Sequence, residues 1–272
     1  MREVVLRLPA DAVDEVLDRL LPLVPDGVRE ATLTRRRVEL RLRGAQVPAI
    51  EEIVRAVGAV PHELAERTIS DDWRERRLAD YRAQTIGARL VVRPDWAPSP
   101  APGLIDIALE EGAAFGVGGH PTTRTCLTWL LDLIPAGPFA DLGCGSGVLA
   151  ILAARLGWEP VLALDVQPAS VDAARANAVR NGVEIEVAAA DLSAQPAPVC
   201  AGFAANVPVA IHEAIVAGWG DVTAGDAPEA GLISGFGPAQ ADRVAAAYRQ
   251  CGLRERRRET VHGWVVAELF RA

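Results

Sequence analysis

Asp141-Leu142-Gly143-Cys144-Gly145-Ser146-Gly147 joins a short apolar run, Phe139–Leu142, to a segment rich in alanine and leucine, Val148–Leu156. A run of that length bounded by turn residues reads as a buried strand, and the longer segment reads as a helix. The three glycines therefore fall in a strand-to-helix turn, where they permit positive φ and close approach of the backbone to a ligand. Downstream the alternation continues, with strands at 161–164, 185–190, 201–205 and 231–234 and helices at 168–180, 209–216 and 239–250. Two consecutive strands, 253–260 and 264–270, end the chain. Alternating strands and helices predict a doubly wound, parallel sheet, here seven-stranded, with the closing pair supplying one antiparallel strand.

Upstream, residues 1–68 carry a different order. Val4, Leu6 and Leu8 alternate on a half-buried strand. Asp11 is positioned as an N-cap for a helix running to Leu23. Two strands follow, Val28–Leu33 and Val38–Leu42, then a helix begun by Pro48 and a last strand within 60–69. Strand, helix, strand, strand, helix, strand is the split, ferredoxin-like α+β order. Residues 69–104 are read as a linker, with a polar helix over 71–82 and connecting strands stiffened by Pro94, Pro98, Pro100 and Pro102. The third segment, 105–272, is the doubly wound domain.

Composition narrows the class. Apolar residues make up 50% of the 272, which excludes disorder over most of the length, and no apolar run is long enough for a membrane helix. The start lacks a secretory apolar core, and Cys126, Cys144, Cys200 and Cys251 have no metal-knuckle or disulfide-framework spacing. A cytoplasmic protein without metal is expected. Every basic residue is arginine, and the net charge is −8. Residues 1–60 are neutral, with ten arginines and ten carboxylates, whereas 141–230 hold three arginines and eleven carboxylates. An acidic chain is a poor general binder of nucleic acid and suits a basic protein partner.

Asp165 ends the strand after the glycine turn, 22 positions beyond Gly143, where a carboxylate can accept both ribose hydroxyls of an adenosine. A dinucleotide and S-adenosylmethionine both fit this much. A dinucleotide prefers G-x-G-x-x-G, whereas these glycines are spaced G-x-G-x-G, and Asp141 would repel a pyrophosphate. S-adenosylmethionine has no phosphate and two cationic centres that welcome Asp141, so the turn favours it. Asp191, after the third strand, can meet an adenine amino group; a solvated loop aspartate is the plain alternative.

Phe115-Gly116-Val117-Gly118-Gly119-His120-Pro121-Thr122-Thr123-Arg124 precedes the glycine turn, and Asn177-Ala178-Val179-Arg180-Asn181-Gly182 and Asn206-Val207-Pro208-Val209 follow it. Together with the turn they resemble the PrmA family, the methyltransferases of ribosomal protein L11. The resemblance covers most of the chain, most strongly from Trp73 onward, and rests on element order in the first 68 residues. It implies a class I methyltransferase sheet, an amino-terminal domain that recognises substrate, and S-adenosylmethionine as cofactor. Thr123, Gly143, Asp165 and Asn206 match the family's cofactor-contacting positions, with Asp141, Gly145 and Asp191 beside them. Asn206 is the candidate catalytic residue, its amide able to accept from or donate to an amine.

The implied reaction is methyl transfer to a lysine or amino-terminal nitrogen of a ribosomal protein by a monomer, with no sequence-specific nucleic-acid contact. Methylation of another protein or a small amine, an NAD-dependent oxidoreductase and an inactive binding module are the alternatives. Val117, Gln167 and Val207-Pro208 depart from the family's pattern and bear on the substrate side. His120 is expected to order its loop and His212 to be a structural or exposed helix residue. Trp129 is expected in the core, Cys144 as a packing residue, and Arg35–Arg37 and the run Arg254, Arg256, Arg257, Arg258 on solvated surfaces.

Overall fold

The computed structural model describes residues 2–20, 23–24, 28–34, 37–43, 47–68, 83–110, 120–220 and 228–271. The helix expected over 71–82, the motif residues Phe115–Gly119 and Arg35–Arg36 lie outside them. The chain divides into two compact units, 1–81 and 82–272.

In the first unit, alternating apolar residues build β1 (Arg2–Pro9), β2 (Val28–Thr34), β3 (Arg37–Arg43) and β4 (Glu63–Thr68), with α1 (Val13–Leu20) and α2 (Ile50–Val57) between them. The sheet order is β2-β3-β1-β4, and every neighbouring pair is antiparallel. Leu6 lies opposite both Leu40 and Leu64. Val4, Leu6, Leu8, Val38, Leu40 and Leu42 are buried, as are Val16, Leu20, Ile53 and Val57 from the helices.

Two helix boundaries differ from expectation. A 3₁₀ turn over 10–12 precedes α1, which therefore starts at Val13 and not directly after Asp11; residues 21–22 of the expected helix lie outside the described residues. Pro48 does not begin α2: Ala49 is extended as its N-cap, with its N–H donated to Glu52 at 3.1 Å. On the other sheet face Glu39 is buried between Arg7 (2.8 Å) and Arg41 (2.6 Å), and those two guanidinium bonds hold its carboxyl below the usual range.

The second unit begins with a three-stranded sheet of β5 (Gln84–Ile86), β6 (Leu90–Pro94) and β7 (Ile105–Leu109). β6 and β7 are parallel neighbours joined without a helix across 95–104. Such a crossover needs a fastening besides its prolines, and Arg93 supplies it. Its guanidinium grips both Asp106 oxygens (2.8 and 2.9 Å), the Ala97 carbonyl (2.6 Å) and Ser99 Oγ (2.9 Å). A buried arginine is tolerated only when its donors are satisfied in this way.

Then come α3 (Pro121–Leu130), β8 (Phe139–Leu142), α4 (Val148–Leu156), β9 (Val161–Asp165), α5 (Pro168–Asn181), β10 (Glu186–Ala189), β11 (Gly202–Asn206), α6 (Val209–Trp219), β12 (Ala230–Phe236), α7 (Pro238–Gln250), β13 (Leu253–Val261) and β14 (Trp264–Arg271). Their sheet runs β10-β9-β8-β11-β12-β14-β13, and β14 is antiparallel to both neighbours. The chain winds outward from β8 to β10, then returns to place β11 on the other side of β8. The carboxyl ends of β8 and β11 thus flank the point where strand order reverses, the position at which open α/β sheets bind ligands.

One apolar cluster includes Leu127, Leu149, Ile151 and Val266; the other is built around Phe203, which meets Trp219 edge-on (4.9 Å) and stacks on Tyr248 (5.7 Å). Trp129 is in the core, with Arg257 4.3 Å above its ring. The arginine run on β13 is largely spent on acids: Arg256 and Arg257 on the buried Glu268, Arg258 on Asp242 and Glu255. Among the described residues no helix is long and apolar enough to cross a membrane.

Candidate functional site

The glycine turn leaves β8 with Gly143, Gly145 and Gly147 all at positive φ (80°, 52° and 77°). At Gly143 the requirement is steric as well as conformational, because a Cβ there would lie 2.3 Å from Val207 Cγ1. Val207 is in turn backed by Gly235 (φ 96°), where a Cβ would lie 2.3 Å from the Val207 carbonyl oxygen. Val207, one of the departures from the family pattern, is therefore the side chain seated against the turn.

Asp165, at the carboxyl end of β9, is held facing the same turn. Its Oδ2 accepts the Gly145 N–H and its Oδ1 the Gln167 N–H, each at 2.9 Å. The carboxylate is partly exposed, and each oxygen keeps acceptor capacity beyond its backbone bond. Gln167 thus contributes its main chain, as the N-cap of α5.

Asn206 ends β11. Its Nδ2 donates to Thr122 Oγ1 at 3.1 Å, and His120 Nδ1 lies 2.7 Å from the same hydroxyl. A hydroxyl that accepts from the amide has its own proton for the imidazole. The chain His120–Thr122–Asn206 thereby commits the Asn206 Nδ2 to Thr122 and leaves its Oδ1 as the amide's acceptor. Among the described residues no hydrogen bond is made to that oxygen. Thr122 was missed in sequence, although its place beside Thr123 at the start of α3 was a signal. His120 lies against the Thr122 hydroxyl at the start of α3, while the loop before it lies outside the described residues; its pKa is lowered by burial and by His262. Thr123, buried near the amino terminus of α3, has a hydroxyl with no hydrogen-bond partner among the described residues.

Asp141 is not at the surface of this arrangement. It is buried, its Oδ2 accepting the Ala150 N–H of α4 at 3.0 Å. Burial pushes its pKa up to about 7, against the Ala150 bond and with help from the charge of Asp165. Because the folded value exceeds the unfolded one, near 3.8, its contribution to stability is full below that value and is lost as pH rises through about 7. Asp141→Asn keeps an acceptor for Ala150 and removes the charge. We expect this variant to gain stability on the wild type as pH rises from about 4 to about 8, by on the order of 3–4 kcal/mol. Denaturant titrations across that range check it, and a constant difference between the two proteins would contradict it.

Asp191 follows Ala190, whose N–H is donated to the Asp165 carbonyl at 3.0 Å, and its own side chain bonds only to Ser193 among the described residues. It is exposed, and its Oδ1 accepts the backbone and hydroxyl of Ser193 (2.9 and 2.5 Å), which lower its pKa. Cys144 is buried, and burial pushes its thiol far up, so it is no nucleophile.

His212 is in the interior, not on an exposed face. Its Nε2 lies 2.9 Å from the Ser234 carbonyl and its Nδ1 2.8 Å from Tyr248 Oη. A carbonyl only accepts, so Nε2 carries the proton and Tyr248 donates to Nδ1. Burial drives its pKa down to about 4. Ser234 also accepts the Val207 N–H at 3.0 Å, so the neutral His212 helps fix the backbone after Asn206. Its spacing with Val209, Ile215 and Val216 on the buried face of α6 was the legible signal.

A family model described as "Ribosomal protein L11 methyltransferase (PrmA)" matches residues 46–271. The chain belongs to the PrmA family. Two curated PrmA relatives carry the name ribosomal protein L11 methyltransferase. That of Azotobacter vinelandii is 40% identical over 147 residues, covering 52% of this chain and 50% of the relative. That of Symbiobacterium thermophilum is 44% identical over 138 residues, covering 50% of this chain and 45% of the relative. The chain spans about half the length of the curated relatives it matches. A solved structure described as ribosomal protein L11 methylase, from Lactobacillus delbrueckii subsp. bulgaricus, is 25% identical with a TM-score of 0.61, and the match covers 70% of this chain and 99% of that one. The doubly wound sheet is thus a class I methyltransferase fold.

Proposed function

We propose that this chain methylates ribosomal protein L11 from S-adenosylmethionine, at lysine or amino-terminal nitrogens. The observation that carries the reading is the combination, at the carboxyl edge of one sheet, of a preset carboxylate at Asp165 with an amide at Asn206 whose nitrogen is held by Thr122 and whose oxygen accepts no hydrogen bond among the described residues. The donor set fits the cofactor. Asp165 offers acceptors for two ribose hydroxyls, and the unpartnered Thr123 hydroxyl with the first N–H groups of α3 suits a carboxylate. When bound, S-adenosylmethionine supplies an electrophilic methyl group on a sulfonium centre.

The chain's own residues supply orientation and surroundings. Asn206 Oδ1 accepts an N–H of the incoming amine and aims its lone pair, with Thr122 holding the amide in register. Val207 over Gly143 keeps one wall of the site apolar, which favours loss of the sulfonium charge and a neutral amine. An amine near pKa 10.4 for lysine, or about 8 for an α-amino group, is brought down by such desolvation. Asp141, buried beneath the turn with its Oδ2 on the Ala150 N–H, supports the turn from below. Gly143 and Gly145 let the cofactor approach the backbone. Asp191 takes the adenine side through its own carboxylate or its neighbours' backbone. Positioning is the main catalytic contribution.

The same reading assigns substrate recognition to the ferredoxin-like segment 1–68, the link to 69–104 and catalysis to 105–272. The strand order β2-β3-β1-β4 supports the first assignment. A monomer acting in the cytoplasm on a basic protein completes it. The charge distribution supports that partner, since the acidic excess lies within 141–230.

The test is incubation of the purified chain with methyl-labelled S-adenosylmethionine and purified ribosomal protein L11, followed by mass spectrometry. Label on lysine or the α-amine of L11 is expected. Label found only on small molecules in an added cell extract would overturn the substrate.

A further inference from the structure

Helix α5 shapes the glycine turn from behind. Gly147, the last glycine of the turn, presses against Ala174: a Cβ on Gly147 would lie 3.0 Å from the Ala174 Cβ and 3.2 Å from its Cα. One turn along the same helix face is Asn177, which is fully buried. Its Nδ2 donates to the Ser146 carbonyl, within the turn, at 3.0 Å. Its Oδ1 accepts the Glu110 N–H, just past β7, at 2.9 Å. The orientation of the amide is forced, because Ser146 offers an acceptor and Glu110 a donor. Asn181, one turn further, bonds to β7 and its own helix but not to the turn: its Oδ1 accepts the Ala108 N–H (2.9 Å), and its Nδ2 reaches the Ala108 carbonyl (2.7 Å) and the Asn177 carbonyl (2.8 Å).

Both asparagines therefore fasten β7 to α5, but only Asn177 also reaches the turn. A buried amide that satisfies two backbone groups is costly to remove, because both groups lose their partner. The sequence pair Asn177 and Asn181, with Ala174 ahead of them, divides the labour. Ala174 gives Gly147 room, Asn177 fixes the Ser146 peptide, and Asn181 anchors the strand.

We propose that Asn177 is a positioning residue for the cofactor, holding the Ser146–Gly147 peptide so that Gly143 and Gly145 keep the geometry that Asp165 requires. This rests on the cofactor reading above. Asn181 serves as the internal control, since it shares the anchoring of β7 without touching the turn.

The test is calorimetric binding of S-adenosylhomocysteine to full-length wild type, Asn177→Ala and Asn181→Ala, with thermal unfolding of each. We expect Asn177→Ala to weaken binding about tenfold or more and Asn181→Ala less than about threefold, while both lower the unfolding temperature. Equal weakening in the two variants, or less than about threefold for Asn177→Ala, overturns the proposal. If Asn177→Ala does not fold, Asn177→Asp carries the same thresholds. It keeps the acceptor for Glu110 and sets an oxygen against the Ser146 carbonyl. A wild type that binds no S-adenosylhomocysteine sinks the cofactor reading itself, a result distinct from a binding wild type indifferent to Asn177.

Discussion

Replacing Asp165 by alanine is expected to weaken S-adenosylhomocysteine binding by roughly a hundredfold to ten-thousandfold, with the protein still folded. The size follows from two lost hydrogen bonds to a charged acceptor, each about 1.5–3 kcal/mol. The carboxylate is set before any ligand arrives, because Gly145 and Gln167 hold its two oxygens through backbone N–H groups. A prearranged acceptor of this kind loses little entropy on binding, so its removal is felt in full. Asp165→Asn, which keeps one carbonyl acceptor, should fall between the two. Calorimetry reads the affinities and circular dichroism the fold. Near-normal affinity of the alanine variant would refute the ribose role.

The second large effect concerns stability, and it separates two glycines that look alike in sequence. Gly143→Ala puts a Cβ against the Val207 side chain, whereas Gly235→Ala puts one against the Val207 backbone. Positive φ costs either alanine about 1–2 kcal/mol, and overpacking adds about 1–3 kcal/mol. A side chain can be trimmed, so Gly143→Ala combined with Val207→Ala should recover the steric part, a coupling of about 1–3 kcal/mol. The backbone clash at Gly235 has no such remedy. Gly235→Ala should lose about 4 kcal/mol or more, and Val207→Ala should not rescue it. Urea denaturation of the five variants, the three single and two double substitutions, measures this. Equal rescue at both positions would show that the two glycines do not flank Val207 in the way described.

The order of elements was legible because its signals are local. Period-two alternation in Val4, Leu6 and Leu8 and the strand–glycine–helix sequence around Gly143 need only neighbouring residues to be read. Asp165 was legible for the same reason, as the acid that ends the next strand. The short strand Gln84–Ile86 and the fastening role of Arg93 were not, since a three-residue strand has no period and a guanidinium's partners lie far along the chain. Asp141 was legible as the acid that precedes the turn, but its burial beneath α4 depends on which way the helix packs. His212 could have been assigned to the core from its spacing on α6. Its partners Ser234 and Tyr248 could not.

The sequence by itself determined a doubly wound domain with a glycine turn at its first strand, a preceding strand–helix unit, and an acidic carboxyl-terminal half. Each of these follows from turn chemistry, hydrophobic period or charge, which the chain carries residue by residue. Tertiary structure alone decided that Val207 sits between Gly143 and Gly235, that Thr122 turns the Asn206 amide, and that Asn177 reaches Ser146. Those contacts join residues dozens of positions apart. They exist because the sheet reverses its strand order beside β8, bringing β11 and the start of α3 to the glycine turn while α5 packs behind it.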